Sequence, residues 1–239
     1  MIASSFGVIL YVALHSGKSC DSAFRDMARA VGFKSKDPME IAAMNEFSSA
    51  ACRTSNPDII WQLAYQESGF RFQLVRENLA NGFGNIYQDD AALRFLARMK
   101  PSDSSRNIDI GVMQFNWNWH HQGFLHNPLL ALTPKAQVDY FLKTFSGEIY
   151  ERCQGRWVGC YHSSNNQSRA QKYEGEVLEK GRLLRLHALQ YLRKIRSGMD
   201  ELRRRKLPPI LQDDVDQLIA YAREVPIPLP LGPLVSRKP

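Results

Sequence analysis

Trp61-Gln62-Leu63-Ala64-Tyr65-Gln66-Glu67-Ser68-Gly69-Phe70 is an apolar helical pattern that runs into a carboxylate and then stops. Asn56-Pro57 marks its start: the amide caps free backbone donors, and proline fits the first helical position. Ile60, Leu63, Ala64 and Glu67 fall near one face at steps of three and four. Glu67 thus lies on the apolar side of a helix that Gly69 ends. A carboxylate buried there is costly unless paired or protonated. Burial raises its pKa, and an acid that keeps its proton near neutrality can serve as a general acid. The alternative is a glutamate in the last turn whose head reaches solvent. This stretch alone leaves both open.

Upstream of it, Asp37-Pro38-Met39-Glu40 is a second helix start, followed by Ile41, Met44, Phe47 and Ala51 at helical spacing. A short helix is expected from Ser22 to Val31, ended by Gly32. Phe6 to Leu14 has the length of a signal-peptide core but lacks a basic leader and a clean cleavage site. A weak signal, a misplaced start and a first helix of the fold all fit. Downstream, residues 71 to 87 favour turns and leave room for a small β element. Asp89 or Asp90 caps an expected helix through Met99, which Pro101 to Ser105 end. Asn107 to His121 mixes apolar residues, amides and aromatics with neither period, which suits a wet groove or a helix corner. Thr133-Pro134 starts the most regular amphipathic helix, with Val138, Phe141, Leu142, Phe145 and Ile149 as its stripe. From Arg169 to Arg205 a long helix is expected, capped by Ser168, with breaks at Gly181 and Gly198. Ile210 to Glu224 reads as one more helix.

Length and composition set the outer bounds. The chain has 239 residues with 44% hydrophobic and 23% charged, enough for a core and against global disorder. The expected fold class is all-α. Its divisions are an N-terminal segment at 1–36, a main domain at 37–190, a basic helical extension at 191–225 and a proline-rich tail at 226–239. The formal charge is +7, a sign that suits an anionic polymer or surface. Residues 169 to 206 hold twelve Lys or Arg against five acidic residues, so the excess reads as a basic region rather than a basic pocket. No aromatic-studded β surface accompanies it, which argues against specific nucleic-acid reading. No stretch is long and apolar enough for a transmembrane span.

The cysteines are Cys20, Cys52, Cys153 and Cys160, without the close spacing of a zinc or redox site. Cys153 and Cys160 are a candidate disulfide in an oxidising compartment. Cys52 reads as a lone small core residue. His120, His121 and His126 lack the thiolate or spaced carboxylate that would complete a zinc site, so no metal is expected. Phosphate loops, HExxH and serine elbows are absent from the sequence.

Four motifs in order resemble the soluble lytic transglycosylase-like, or goose-type-lysozyme-like, catalytic domain. Glu67-Ser68-Gly69-Phe70 is similar to its catalytic glutamate-serine motif. Gly111-Val112-Met113-Gln114-Phe115-Asn116 is similar to its glycine-leucine-methionine-glutamine motif. Tyr161-His162-Ser163 takes the place of its tyrosine-asparagine or tyrosine-histidine-serine motif, and Tyr173 matches the tyrosine that follows. The run Asp109 to His120 resembles the subgroup associated with envelope-spanning secretion and conjugation systems. The likeness covers roughly residues 39 to 187. It departs in a longer gap between Glu67 and Gly111, in His162 and Ser163, and in Phe115 where a smaller aliphatic residue is usual.

The resemblance implies a lysozyme-like domain with a groove between helices. It implies cleavage of the β-1,4 bond between N-acetylmuramic acid and N-acetylglucosamine in peptidoglycan, with Glu67 as catalytic acid and then base. Ser68, Met113, Gln114, Asn116, Tyr161, His162 and Tyr173 become the expected substrate-binding set. Ser68 would orient the carboxylate or an acetamido group. Tyr161 would hold Glu67, and Tyr173 would pack or bind beside it. No cofactor is implied. The expected partners are glycan strands and a secretion or conjugation machine, in the periplasm or cell envelope. Two rivals stand beside this reading. A hydrolase would use an aspartate facing Glu67 across the cleft, with Asp89, Asp90, Asp103 and Asp109 as candidates. A scaffold would bind partners through its basic helix and tail.

Overall fold

The computed structural model describes residues 7–79, 82, 84–145, 157–162 and 166–204. The helices are α1 (Val8–Ser16), α2 (Cys20–Ala30), α3 (Pro38–Cys52), α4 (Pro57–Ser68), α5 (Asp90–Ala97), α6 (Trp117–His120), α7 (Pro128–Leu132), α8 (Pro134–Phe145), α9 (Trp157–His162) and α10 (Gln167–Arg204). The strands are β1 (Leu74–Glu77), β2 (Ile86–Gln88), β3 (Ile108–Ile110) and β4 (Phe115–Asn116). The fold is mostly α.

Helix α4 is the centre. Every residue from Pro57 to Ala64 is buried, the mark of a core helix rather than a surface one. Its start follows from local chemistry: the Asn56 side chain accepts from Ile59 N–H at 3.3 Å, and Pro57 occupies the first position. Its end follows from Gly69, which takes the left-handed conformation at φ +61° that L side chains avoid. Helices α1, α2, α3 and α10 pack around it. The core joins Ile9 and Val12 of α1, Phe24 and Met27 of α2, and Met44 and Phe47 of α3 to Trp61 and Leu63 of α4. Val138 and Phe141 of α8 and Val177, Leu184 and Ala188 of α10 belong to the same cluster.

Asp58 locks α1 onto α4. It is 2% exposed and accepts from Val8 N–H at 2.5 Å and Ile9 N–H at 3.0 Å. It thereby satisfies the free donors at the start of α1, which has no side-chain cap of its own. The expected division at residue 36 thus separates two helices that share the core with α4. The one at 190 falls inside α10.

The small β element is a four-stranded antiparallel sheet in the order β2-β1-β3-β4. Val75 pairs with Ile110 and Arg76 with Asp109, while Asp109 also pairs with Asn116. Arg76, Asp109 and Asn116 therefore share one face of the sheet. The stretch from Asn107 to His121, which has neither period, supplies β3, β4 and α6. Its strands have three and two residues, too few for an alternation to register.

Several expectations need correction. Cys52 is not alone: it forms a disulfide with Cys20, with Cα atoms 5.9 Å apart. The first residue of α2 and the last of α3 meet because the two helices pack against one another. The expected Cys153–Cys160 pair involves Cys153, which lies outside the described residues. Asp89 does not cap α5; it sits at φ +53° and makes no capping bond. The cap of α10 is Asn166, whose side chain accepts from Arg169 N–H at 3.0 Å, rather than Ser168. Gly181 and Gly198 do not break α10, which runs unbroken for 38 residues. A glycine costs an interior helix only about 1 kcal/mol, and packing along α4, α1 and α2 outweighs that. The expected helix at 210–224, the proline-rich tail and Ile149 lie outside the described residues.

Candidate active site

Glu67 lies in the last turn of α4, where the helix meets the sheet and α10. Glu67 is half-buried, and desolvation pushes its pKa up to about 7. The Tyr173 hydroxyl donates to Glu67 Oε1 and pulls the value back, because a hydrogen bond to the ionised form favours it. The Asp109 carboxylate raises it again, Arg76 lowers it, and Glu176 raises it. Burial decides the sign. The glutamate holds its proton to near neutrality.

Helix α10 is fastened to α4 over three consecutive residues. Lys180 stands 5.1 Å from the centre of the Tyr65 ring, Gln66 Nε2 donates to Glu176 Oε2 at 2.8 Å, and Tyr173 holds Glu67. Burial and the nearby carboxylate push the Tyr173 phenol well above its ordinary value, so it remains a neutral donor. His162, at the end of α9, stacks flat on Tyr173 with ring centres 4.7 Å apart. Tyr161 stacks on it from 6.2 Å.

The turn between β3 and β4 brings the second motif to this place. Ser68 is buried, and its hydroxyl lies 2.8 Å from Val112 C=O and 3.1 Å from Ala64 C=O. It joins the end of α4 to the turn and does not orient the Glu67 carboxylate, which is a correction. Tyr161 is corrected as well: its hydroxyl donates to Met113 C=O. Tyr173, expected only to pack or bind alongside, is the residue that holds Glu67. Met113 is fully buried. Gln114 adopts φ +49° and donates through Nε2 to Gly111 C=O at 2.6 Å. Among the described residues its Oε1 is buried without a partner, as is Oδ1 of Asn116. Phe115 fits because it fills an aromatic cluster with Phe124, Tyr140 and Tyr161.

Asp109 was one of four candidate aspartates, and the sheet selects it. Asn78 Nδ2 donates to one oxygen at 2.8 Å and Asn116 Nδ2 to the other at 2.8 Å. The signal existed in the sequence only as an aspartate two residues before Gly111. Asn78 and Arg76 gave none, because their positions depend on strand register. Among the described residues no group of His, Cys, Asp and Glu is placed to hold a metal ion. His120 and His121 are instead hydrogen-bonded to Tyr140 and to Trp117 C=O. Burial pushes the His120 pKa down to about 4, which keeps that ring neutral. No helix among the described residues is long and apolar enough to cross a membrane.

No protein-family model matches the chain, and comparisons with curated proteins and with solved structures find no match.

Proposed function

We propose that this protein is a peptidoglycan lytic transglycosylase of lysozyme-like fold. The observation that carries the reading is Glu67: a desolvated carboxyl group at a helix end, gripped by Tyr173 and protonated to about pH 7. The four ordered motifs supply the substrate class. Glu67 gives its proton to the bridging oxygen between N-acetylmuramic acid and N-acetylglucosamine. The muramic 2-acetamido group supports the positive charge at the anomeric carbon. Glu67, now a carboxylate, takes the proton of the C6 hydroxyl as that oxygen closes onto the anomeric carbon. The product ends in a 1,6-anhydro ring and no water is consumed. One carboxylate suffices because its two roles are sequential and the nucleophile is tethered.

Gln114 and Asn116 belong to the substrate-binding set of this reading by their place in the second motif. His162, exposed on Tyr173, borders the site for a sugar face. The partners in this reading are glycan strands and an envelope-spanning secretion or conjugation machine, with the protein in the periplasm or cell envelope.

One observation favours a second reading. Asp109 raises the Glu67 pKa through space, so a second carboxylate does stand near the first. A muramidase would use it to direct water at the anomeric carbon. Each of its oxygens accepts one amide N–H, which fixes its orientation and leaves each a second lone pair for water.

The deciding experiment is mass spectrometry of purified peptidoglycan digested with the wild type and with Glu67→Gln. Anhydro-muramic ends from the wild type alone support the transglycosylase. Reducing muramic ends support the muramidase with Asp109, and absence of fragments from both refutes the enzyme.

A further inference from the structure

The turn from Gly111 to Gln114 carries two of the expected substrate contacts, yet little regular structure holds it. Two of its four residues lie in the left-handed region, Gly111 at φ +80° and Gln114 at φ +49°. Something outside the turn must dictate that path.

Gln137, on α8, is fully buried, and both polar atoms of its amide are engaged. Oε1 accepts from Met113 N–H at 2.8 Å. Nε2 donates to Ala131 C=O at 2.6 Å and lies 3.4 Å from Ile110 C=O. It therefore touches the end of β3, the middle of the turn and the end of α7 together. The fit is close on the other side too. A β-carbon on Gly111 would stand 1.6 Å from Gln137 Nε2, so the glycine and the amide presuppose each other. Neither Met113 N–H nor Ala131 C=O has water to turn to in this core, and an unmade hydrogen bond there is expensive.

We propose that Gln137 is a positioning residue of the candidate active site. Its amide fixes the path of the turn, and with it the Met113 carbonyl that Tyr161 meets and the place of Gln114. Ser68 and Tyr161 hold the same turn from α4 and α9 through carbonyl oxygens; Gln137 holds it through an N–H. The kinetic part of this inference rests on the proposed activity, and the structural part on geometry alone.

Two variants test it. Gln137→Met keeps the length and apolar bulk but removes both polar atoms. Gln137→Glu keeps the acceptor for Met113 and can donate to Ala131 C=O only when protonated. Turnover of peptidoglycan is measured from about pH 5 to 8 alongside melting temperature, and protection of the Met113 amide is followed by NMR hydrogen exchange. The expected result is a loss of at least about tenfold in kcat for Gln137→Met, with Met113 exchange accelerated. For Gln137→Glu, activity relative to wild type rises as pH falls, while the ratio for Gln137→Met stays flat. Lower melting temperatures with unchanged kcat, a flat ratio for both variants, or an equally protected Met113 amide would overturn the proposal. If the wild type itself does not cleave, the activity fails, and Met113 exchange still decides whether Gln137 holds the turn.

Discussion

Two acids titrate late in this fold, Asp58 buried and Glu67 half-buried. Burial pushes Asp58 up to about 6 and Glu67 up to about 7. Each therefore contributes stability that is complete below its unfolded pKa and is lost as pH rises through the folded value. The window runs from about 4 to 6 for Asp58 and from about 4.5 to 7 for Glu67. Glu67→Gln should abolish turnover and yet melt higher than wild type above pH 7, by on the order of 1–3 kcal/mol. The difference should shrink toward pH 4.5; thermal scans at both ends check it, and equal melting throughout would contradict a desolvated carboxyl group. Tyr173→Phe removes the bond that lowers the Glu67 pKa. The alkaline limb of the activity profile should move up while kcat falls roughly 10- to 100-fold; a limb that stays or moves down counts against the assignment. The apolar side of Glu67 was legible from spacing alone. Its partner was not, because Tyr173 lies 106 residues away and nothing local tells a hydroxyl that bonds from a ring that packs.

Elements were legible where their signals are local. The caps Asp37-Pro38 and Asn56-Pro57 located α3 and α4, since capping involves only neighbouring residues. Strands of two to four residues were not legible, because their hydrogen bonds join segments as distant as β1 and β3. The Cys20–Cys52 bond shows the same limit: Cys52 looked solitary because its partner stands 32 residues earlier, brought close only by the packing of α2 on α3. That bond staples two core helices beside α4. Replacing both cysteines by serine should cost about 2–4 kcal/mol, read as a lower denaturant midpoint. Turnover per folded molecule should persist, because no expected site residue lies on α2 or α3; its loss would mean that the pair shapes the site directly.

At the scale of the whole molecule, α10 belongs both to the candidate site and to the charged surface. Its inner face packs Tyr173, Val177, Leu184 and Ala188 into the core, while Lys172, Arg182 and Arg193 stand exposed. Exposed charges of this kind interact weakly one by one and are screened by salt. Pelleting with purified walls should therefore fall steeply as salt rises from about 50 to 500 mM, and retention unaffected by salt would rule out an electrostatic hold. The uninterrupted run of α10 has a mechanical side. Tyr173 sits in the second turn, and Arg204 lies 31 residues further on, roughly 46 Å along the axis at 1.5 Å per residue. Between those two points the helix is moored to α2, because the Tyr191 hydroxyl donates to Asp26 Oδ2 at 3.0 Å; a pull on its distal turns is borne at that mooring and leaves the hydroxyl on Glu67 undisturbed.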